Sequence, residues 1–288
     1  MTAVGEVRVS TRWLRSREPA DAAARSRDLV RAIAVGSGGD VPTVVHDLGS
    51  GSGSMGRWLA PRLEGPQHWV LHDRDPDLLR VATNDPPRAA ADGAAVTVET
   101  RQGDLTRLRP EDLAGAALVT ASALLDMLTA DELERVVRSC VAAACPALVT
   151  LSVTGRVRLT PAAPLDAVVE AAFNDHQVRT TRGRTLLGPT AARPAVHLFA
   201  ALGAHVEVRP SPWRLDGGCR ALVAQWLSGW VGAAREQRPE LAEPGAAYLA
   251  RRRIDLEHGR LAVTVQHVDL LARPAGGRGR PHAVGRRP

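Results

Sequence analysis

Lysine is absent from this 288-residue chain, and all 37 of its basic residues are arginine. Isoleucine occurs only twice, while alanine, arginine, glycine and proline are abundant, which indicates a GC-rich genome rather than selection for a basic surface. The formal net charge is +6, but the segment from Arg273 to Pro288 holds five arginines and no acid. Most of the excess charge therefore lies in this tail, and the near-neutral remainder argues against a nucleic-acid partner.

Cysteines are also few, and long apolar runs are missing. Cys140, Cys145 and Cys219 form neither a disulfide framework nor a metal-ligand spacing, so we expect no metal site. No apolar run reaches 18 residues, and Met1 to Arg17 mixes charges instead of forming an apolar signal segment. The sequence therefore predicts a protein without a membrane span, located in the cytoplasm.

Strand-like and helix-like segments alternate through the first half of the chain. The predicted strands are residues 43–48, 68–73, 96–101, 116–121 and 147–153. The predicted helices among them are residues 55–63, 77–83 and 130–144. This alternation favours an α/β fold with a Rossmann-like, doubly wound sheet that is mostly parallel.

The second half departs from this alternation. Helices are predicted over residues 165–173, 190–202, 219–235 and 246–257, and strands over residues 205–209 and 261–271. We expect the last strand to join the sheet edge antiparallel, and helices at about 160–190 and 218–257 to cover a substrate. Before this domain of residues 40–272, residues 1–39 form a predicted helical segment with a break at Pro19. The Arg/Gly/Pro tail of residues 273–288 is predicted to be disordered.

The most informative motif follows the first predicted strand. Val44-Val45-His46-Asp47-Leu48-Gly49-Ser50-Gly51-Ser52-Gly53 is an apolar run that ends in an acid and three alternating glycines. Glycine lets the backbone turn sharply and lets a ligand lie against it. A nucleotide-type cofactor is the leading hypothesis, although Gly51-Ser52-Gly53-Ser54-Met55-Gly56 also fits the dinucleotide fingerprint, with Asp73 at the expected distance.

The pattern Asp-x-Gly-x-Gly-x-Gly resembles the first motif of class I S-adenosylmethionine-dependent methyltransferases, and the similarity extends over about residues 40–271. An antiparallel ending is typical of that family and not of dinucleotide dehydrogenases. The resemblance implies S-adenosylmethionine as cofactor. The residues that it implies for cofactor binding are Asp47, Gly49, Ser50, Gly51, Gly53, Asp73, Arg74, Gly103, Asp104, Leu105 and Ser122.

The resemblance also implies a role for several of these residues. Asp47 would orient the cofactor's amino group, and Asp73 would accept hydrogen bonds from the two ribose hydroxyls. Asp104 would take the adenine amino group, which Leu105 would flank. As alternatives, Asp73 could instead cap the next helix, and Asp104 could be a turn residue after Gly103.

The residues that act on the methyl acceptor are less well indicated. Asp126, His176 and His197 are the candidates for a general base, each with a structural alternative as a helix cap, a loop histidine or a partly buried histidine. Trp226 and Trp230 are four residues apart and share a helix face, which indicates a core stripe or an aromatic substrate wall.

The sequence thus predicts methyl transfer from S-adenosylmethionine to an acceptor, most simply a small molecule. Two alternatives remain open: an RNA methyltransferase that uses the basic tail, and an NAD(P)-dependent oxidoreductase with a Rossmann domain. The sequence leaves the acceptor and the oligomeric state undefined.

Overall fold

The computed structural model describes residues 9–33, 41–181 and 183–275. Helices pack against both faces of one central sheet. The helices are α1 (Thr11–Ala24), α2 (Arg27–Arg31), α3 (Ser54–Leu59), α4 (Pro76–Asn84), α5 (Ala130–Ala142), α6 (Asp166–Gln177), α7 (Ala192–Ala201), α8 (Arg220–Gln237) and α9 (Ala242–Glu257). The strands are β1 (Thr43–Leu48), β2 (Gln67–Asp73), β3 (Val96–Gln102), β4 (Leu118–Ser122), β5 (Ala147–Thr160), β6 (Thr180–Thr181), β7 (Arg184–Thr185), β8 (Ala204–Pro210), β9 (Trp213–Leu215) and β10 (Ala262–Pro274).

The strand order in the central sheet is β3-β2-β1-β4-β5-β10-β8, and β9 also pairs with β10. The strands from β3 to β5 are parallel, whereas β10 runs antiparallel to β5, β8 and β9. The chain moves outward from β1 to β3 and then returns to β4 on the other side of β1. Ligands of such sheets bind at this switch point, beyond the carboxyl ends of β1 and β4. The predicted Rossmann-like, mostly parallel fold with an antiparallel last strand is confirmed.

Three clusters of buried side chains hold the layers together. One packs α5 and α7 against one face of the sheet, for example through Leu133 and Phe199. A second packs α2, α3 and α4 against the other face around Trp69. The third lies under α6, α8 and α9, which contact the far end of β5 and the start of β10. This third cluster supports a helical cap beyond the sheet.

The length of β5 explains where this cap sits. The strand was predicted to end at Val153, but it continues to Thr160, because its second part pairs with β10 through registers such as Val157 with Val265. Non-local pairing of this kind leaves no local sequence pattern. Sequence reasoning also missed β9 and the short β6–β7 hairpin, which have only three and two residues per strand.

Two predictions about the ends of the chain need correction. The helix was expected to break at Pro19, but α1 runs from Thr11 to Ala24 with Pro19 inside it. Contacts of α1 with the rest of the protein outweigh the lost hydrogen bond: Glu18 pairs with Arg57, and Trp58 Nε1 donates to the Ala22 carbonyl at 3.1 Å. Residues 1–8 and 34–39 of the predicted helical segment lie outside the described residues.

At the other end, β10 continues to Pro274, so Arg273 belongs to the sheet and pairs with Glu207 of β8. It is therefore not part of a disordered tail. Residues 276–288, which make up the rest of the predicted tail, lie outside the described residues. Among residues 9–33, 41–181 and 183–275, each helix is too short or too polar to cross a lipid bilayer.

Candidate cofactor and acceptor site

The glycine loop after β1 is a tight turn at the switch point of the sheet. Gly49 and Gly51 both have positive φ angles, of 65° and 53°, a conformation that L side chains rarely adopt. A Cβ on Gly49 would lie 3.0 Å from Leu124 Cδ1, whereas a Cβ on Gly51 would first meet Leu14 of α1 at 3.4 Å. Glycine is therefore required at Gly49 both by backbone conformation and by the close approach of Leu124.

Asp73 ties this loop to the end of β2. Its Oδ2 accepts a hydrogen bond from the Gly51 amide at 2.8 Å, and its Oδ1 accepts one from the Asp75 amide at 2.9 Å. The cap of α4 is Asp75, which accepts from the Asp77 amide, so Asp73 does not cap that helix. Asp73 thus holds the glycine loop in place while its side chain lines the neighbouring cavity.

Asp104 follows β3 and is the turn residue that the sequence offered as an alternative. Its Oδ1 accepts a hydrogen bond from the Thr106 amide at 2.9 Å and caps the short turn Leu105–Arg107. The same side chain is exposed at the rim of the cavity. Gly103 donates its amide to the Asp73 carbonyl at 3.0 Å, which keeps the ends of β2 and β3 together.

Asp47 is the most deeply buried acid of the site, with 1% of its surface exposed. Thr120 Oγ1 donates to its Oδ1 at 2.7 Å, but its buried Oδ2 has no hydrogen-bond partner among the described residues. Burial raises the pKa of Asp47 to about 7, although the Thr120 hydrogen bond and the nearby Arg25 oppose the rise. A buried carboxylate oxygen without a donor is suited to a cationic or hydrogen-bond-donating ligand group.

Arg25 lies beside these groups, and sequence reasoning did not find it. Its side chain is 2% exposed, and Nη2 donates to Ser122 Oγ at 3.0 Å and Ser54 Oγ at 3.2 Å. Burial lowers the pKa of Arg25, against the raising influence of Asp21, Asp47 and Asp269. An arginine that follows a helix in an arginine-rich chain carries no distinguishing pattern, so nothing in the sequence sets it apart.

All but one of the residues predicted to bind cofactor line a single cavity of about 530 Å³. We call these residues the acidic wall: Asp47, Gly49, Ser50, Gly51, Asp73, Arg74, Gly103, Asp104, Leu105 and Ser122. The exception is Gly53, the N-cap of α3, which packs against α4: a Cβ there would lie 3.1 Å from Ala82 Cβ. A volume of this size is within the usual range for small-molecule sites.

Large apolar side chains line the same cavity, and we call them the aromatic wall: Trp13, Val153, Val157, Phe173, Trp213, Trp226, Trp230 and Val265. The Trp226 and Trp230 rings stack with centroids 5.0 Å apart and planes 18° apart. Arg17 of α1 lies 5.0 Å above the Trp213 ring and pairs with Asp21, whose carboxylate also accepts from Trp213 Nε1 at 2.9 Å. The two tryptophans predicted to share a helix face therefore both border the cavity.

The three predicted candidates for a general base lie in different places. Asp126, on the short turn Leu125–Met127, lines the cavity, and burial raises its pKa to about 6. His176 lies in the last turn of α6 with Nε2 3.2 Å from Glu236, while His197 is exposed on α7. The structure thus brings Asp126, and neither histidine, to the acidic and aromatic walls.

The described residues were also compared with the side-chain clusters that bind metal ions. Within the three described stretches, no cluster of three or more histidine, cysteine or acidic side chains is arranged to hold a metal ion. Cys140 and Cys145 are buried, and burial raises the pKa of the two thiols to about 12 and about 11.

The sheet order, the glycine loop at the switch point and the acids at successive strand ends define a Rossmann-like domain with a cavity at its switch point. Residues 45–147, which run from β1 to the start of β5, match the family model described as a methyltransferase domain. Over this stretch the chain is similar to methyltransferase domains, in agreement with the predicted family. No curated protein matches the sequence of the whole chain.

Several solved structures are similar to most of the chain. The YcgJ protein from Bacillus subtilis is 13% identical, with 86% of this chain and 97% of that chain covered and a TM-score of 0.49. A methyltransferase from Thiobacillus denitrificans, solved with S-adenosylhomocysteine, is 17% identical, with coverages of 91% and 98% and a TM-score of 0.44. A methyltransferase from Geobacter sulfurreducens, solved with the same molecule, is 18% identical, with both coverages at 92% and a TM-score of 0.41.

Proposed function

We propose that this protein transfers a methyl group from S-adenosylmethionine to a small molecule that binds between the acidic wall and the aromatic wall. The observation that carries the proposal is the single cavity that both walls share. When bound, the cofactor supplies a methyl group on a positively charged sulfur. The acidic wall suits the polar and cationic parts of such a cofactor, and the aromatic wall suits an apolar acceptor.

The hydrogen-bond acceptors of the acidic wall match the donor groups of the cofactor. The unpartnered Oδ2 of Asp47 matches an ammonium group, which would favour the ionised form of this carboxyl. Asp73 and Asp104 are carboxylates at successive strand ends, and each oxygen can accept a further hydrogen bond from a ribose hydroxyl or an adenine amino group. Gly49 and Gly51 keep the cavity floor free of side chains. We therefore propose these residues as the cofactor site.

A small acceptor is favoured by the form of the cavity. Aromatic side chains from α1, α6, α8 and β9 surround the acceptor region. Since the methyl group is already activated, catalysis depends mainly on holding the acceptor in line with it. A base is needed only for an acceptor that must lose a proton early.

The cofactor site is tested by replacing Asp73 with alanine. We expect the Asp73→Ala variant to bind S-adenosylhomocysteine about 1–3 kcal/mol more weakly by calorimetry, because ligand donors lose their acceptor. Asp92→Ala is a matched control: Asp92 also accepts two backbone amides, from Gly65 and Ala94, in an exposed turn. If both variants are folded and bind the ligand with equal affinity, the proposed role of Asp73 is wrong.

A further inference from the structure

The stacked pair of Trp226 and Trp230 presents a flat apolar surface within the aromatic wall. Trp230 is 2% exposed, whereas Trp226 is half-buried. The Trp230 ring is therefore held in the core, and the Trp226 ring stacked on it is partly accessible. Trp13 and Trp213 add two tilted rings whose centroids are 6.5 Å apart. Because aromatic rings pack best against other rings, offset or edge-on, this wall favours a planar ring system over a flexible chain.

Three side-chain oxygens at the same cavity have no hydrogen-bond donor among the described residues: Asn174 Oδ1, Gln177 Oε1 and Asp126 Oδ1. The orientation of the Asn174 amide is set by its Nδ2, which donates to the Gly155 carbonyl at 2.9 Å and leaves the oxygen unpaired. A buried acceptor without a partner costs about 1–3 kcal/mol, so a ligand that supplies donors is favoured here. Three acceptors from α6 and the turn after β4 match several hydroxyl groups.

The contact of Arg17 with Trp213 argues for a neutral ligand at the aromatic wall. The Arg17 guanidinium already covers the Trp213 ring, where a cationic ligand would otherwise bind. Arg184 also lines the cavity, where it is paired with Glu132, as Arg17 is with Asp21. An ammonium-bearing acceptor therefore finds the exposed face of the Trp213 ring already occupied by a guanidinium.

We propose that the acceptor is a planar aromatic compound with two or more hydroxyl groups, and that Asp126 takes the proton of the hydroxyl that is methylated. This inference rests on the proposed function. The hydroxyl oxygen forms a bond to the methyl carbon with its own electron pair while its proton passes to the Asp126 carboxylate. The electron pair of the broken carbon–sulfur bond stays on sulfur, which becomes neutral.

The environment of Asp126 suits this role. Its carboxyl lines the cavity, and burial raises its pKa to about 6 against the opposing influence of Arg17. At neutral pH the group is mostly ionised and ready to accept a proton, yet it is more basic than an exposed aspartate. Asn174 and Gln177, one helical turn apart on α6, would bind further hydroxyls and set the orientation of the ring.

Binding tests the ligand class independently of turnover. Calorimetry on the full chain saturated with S-adenosylhomocysteine would compare four probes: a dihydroxynaphthalene, the corresponding dimethoxynaphthalene, a cyclohexanediol and a naphthylmethylamine. We expect the dihydroxynaphthalene to bind at least tenfold more tightly than each of the others. Equal or tighter binding of the dimethoxy compound, the diol without a ring or the amine would overturn the inference, as would no binding of any probe.

Two variants on helices test how the hydroxyls are bound. Gln177→Leu removes the unpaired amide oxygen at nearly constant size and is expected to weaken binding of the dihydroxynaphthalene about tenfold, with the dimethoxynaphthalene unaffected. Gln225→Leu, on the exposed face of α8, is the matched control and should change neither affinity. An equal loss for both probes, or no loss for either, contradicts the assignment of Gln177.

The base is tested with Asp126→Asn, using the dihydroxynaphthalene and S-adenosylmethionine that carries a labelled methyl group, at a concentration that saturates the protein at every pH. In the native protein we expect the rate of transfer to fall as the pH is lowered through about 6. In the variant we expect a rate at least 100-fold lower with no such fall, while the affinity for S-adenosylhomocysteine is unchanged. A variant with the native rate or the native pH profile rules out Asp126 as the base. Failure of the native protein to bind S-adenosylhomocysteine would instead refute the proposed function itself.

Discussion

At the scale of single residues, Asp47 couples cofactor binding to pH. Its carboxyl is buried beside Thr120 and has a pKa of about 7. Because an ammonium group binds the ionised form, we expect the affinity for S-adenosylhomocysteine to fall as the pH is lowered from 8 to 5. Asp47→Asn should weaken binding about 10- to 100-fold at pH 8, the order for a hydrogen bond to a charged group, and much less at pH 5. Calorimetry at both pH values measures this, and a constant difference between the two proteins would contradict it.

The same substitution has the opposite effect on the stability of the ligand-free protein. The folded-state pKa of Asp47 is above its unfolded value of about 3.9, so the folded state holds more protons between these two values. The contribution of Asp47 to the free energy of unfolding therefore decreases as the pH rises from 4 to 7. Asp47→Asn should remove this decrease, so that urea unfolding shows a larger gain from the substitution at pH 8 than at pH 4. A gain that does not depend on pH would show that ionisation of Asp47 is not its cause.

The site residues that could be predicted from the sequence are placed by local structure, whereas the others are placed by long-range packing. Asp47, Asp73 and Asp104 follow strands of a parallel sheet, so a local pattern was enough to bring them to one edge. Arg25 contacts Ser54 and Ser122 of the cavity, and the unpaired oxygens of Asn174 and Gln177 reach the cavity itself, through packing between distant parts of the chain. Such long-range packing leaves no periodic pattern in the sequence. For the same reason, the sequence could not show that His176 and His197 lie away from the cavity.

At the scale of elements, α1 holds a proline inside a helix that borders the cavity. Pro19 is exposed, so it contributes little packing, and it denies the helix one backbone hydrogen bond. We expect Pro19→Ala to raise the free energy of unfolding, by up to about 3 kcal/mol, measured by urea denaturation. Arg15→Ala, exposed on the same helix, should change it by less than about 0.5 kcal/mol. A Pro19→Ala variant no more stable than the control would show that contacts such as Glu18 with Arg57 already compensate for the proline.

The sequence predicts the alternation from β1 to β5 with nearly the observed bounds, because β1, β2, β4 and the first part of β5 are short apolar runs and β3 alternates apolar with polar residues. The predicted antiparallel last strand is also present. The extension of β5 to Thr160 could not be predicted from the sequence, because it depends on pairing with β10. The cap of α6, α8 and α9 rests on that extension, so its position relative to the cavity was equally inaccessible.

At the scale of the whole molecule, the net charge separates the proposed function from an RNA methyltransferase. Deleting residues 276–288 removes four arginines and lowers the formal net charge from +6 to +2. We expect the shortened chain to keep its affinity for S-adenosylhomocysteine within twofold, because the acidic wall lies in residues 47–122. We also expect neither form to shift RNA in gel electrophoresis at physiological salt. Salt-sensitive RNA binding by the full chain that disappears on deletion would support the RNA alternative.

The place of β10 has a consequence for how the protein is made. This strand comes from the end of the described chain, yet it lies between β5 and β8, and its Val265 and His267 line the cavity. While the ribosome is still synthesising residues 262–274, the parallel strands can pair, but β8 and the far end of β5 have no neighbour. The cavity is therefore completed only after translation has passed Pro274, and until then a nascent chain has two unpaired strand edges of the kind that pair with other chains.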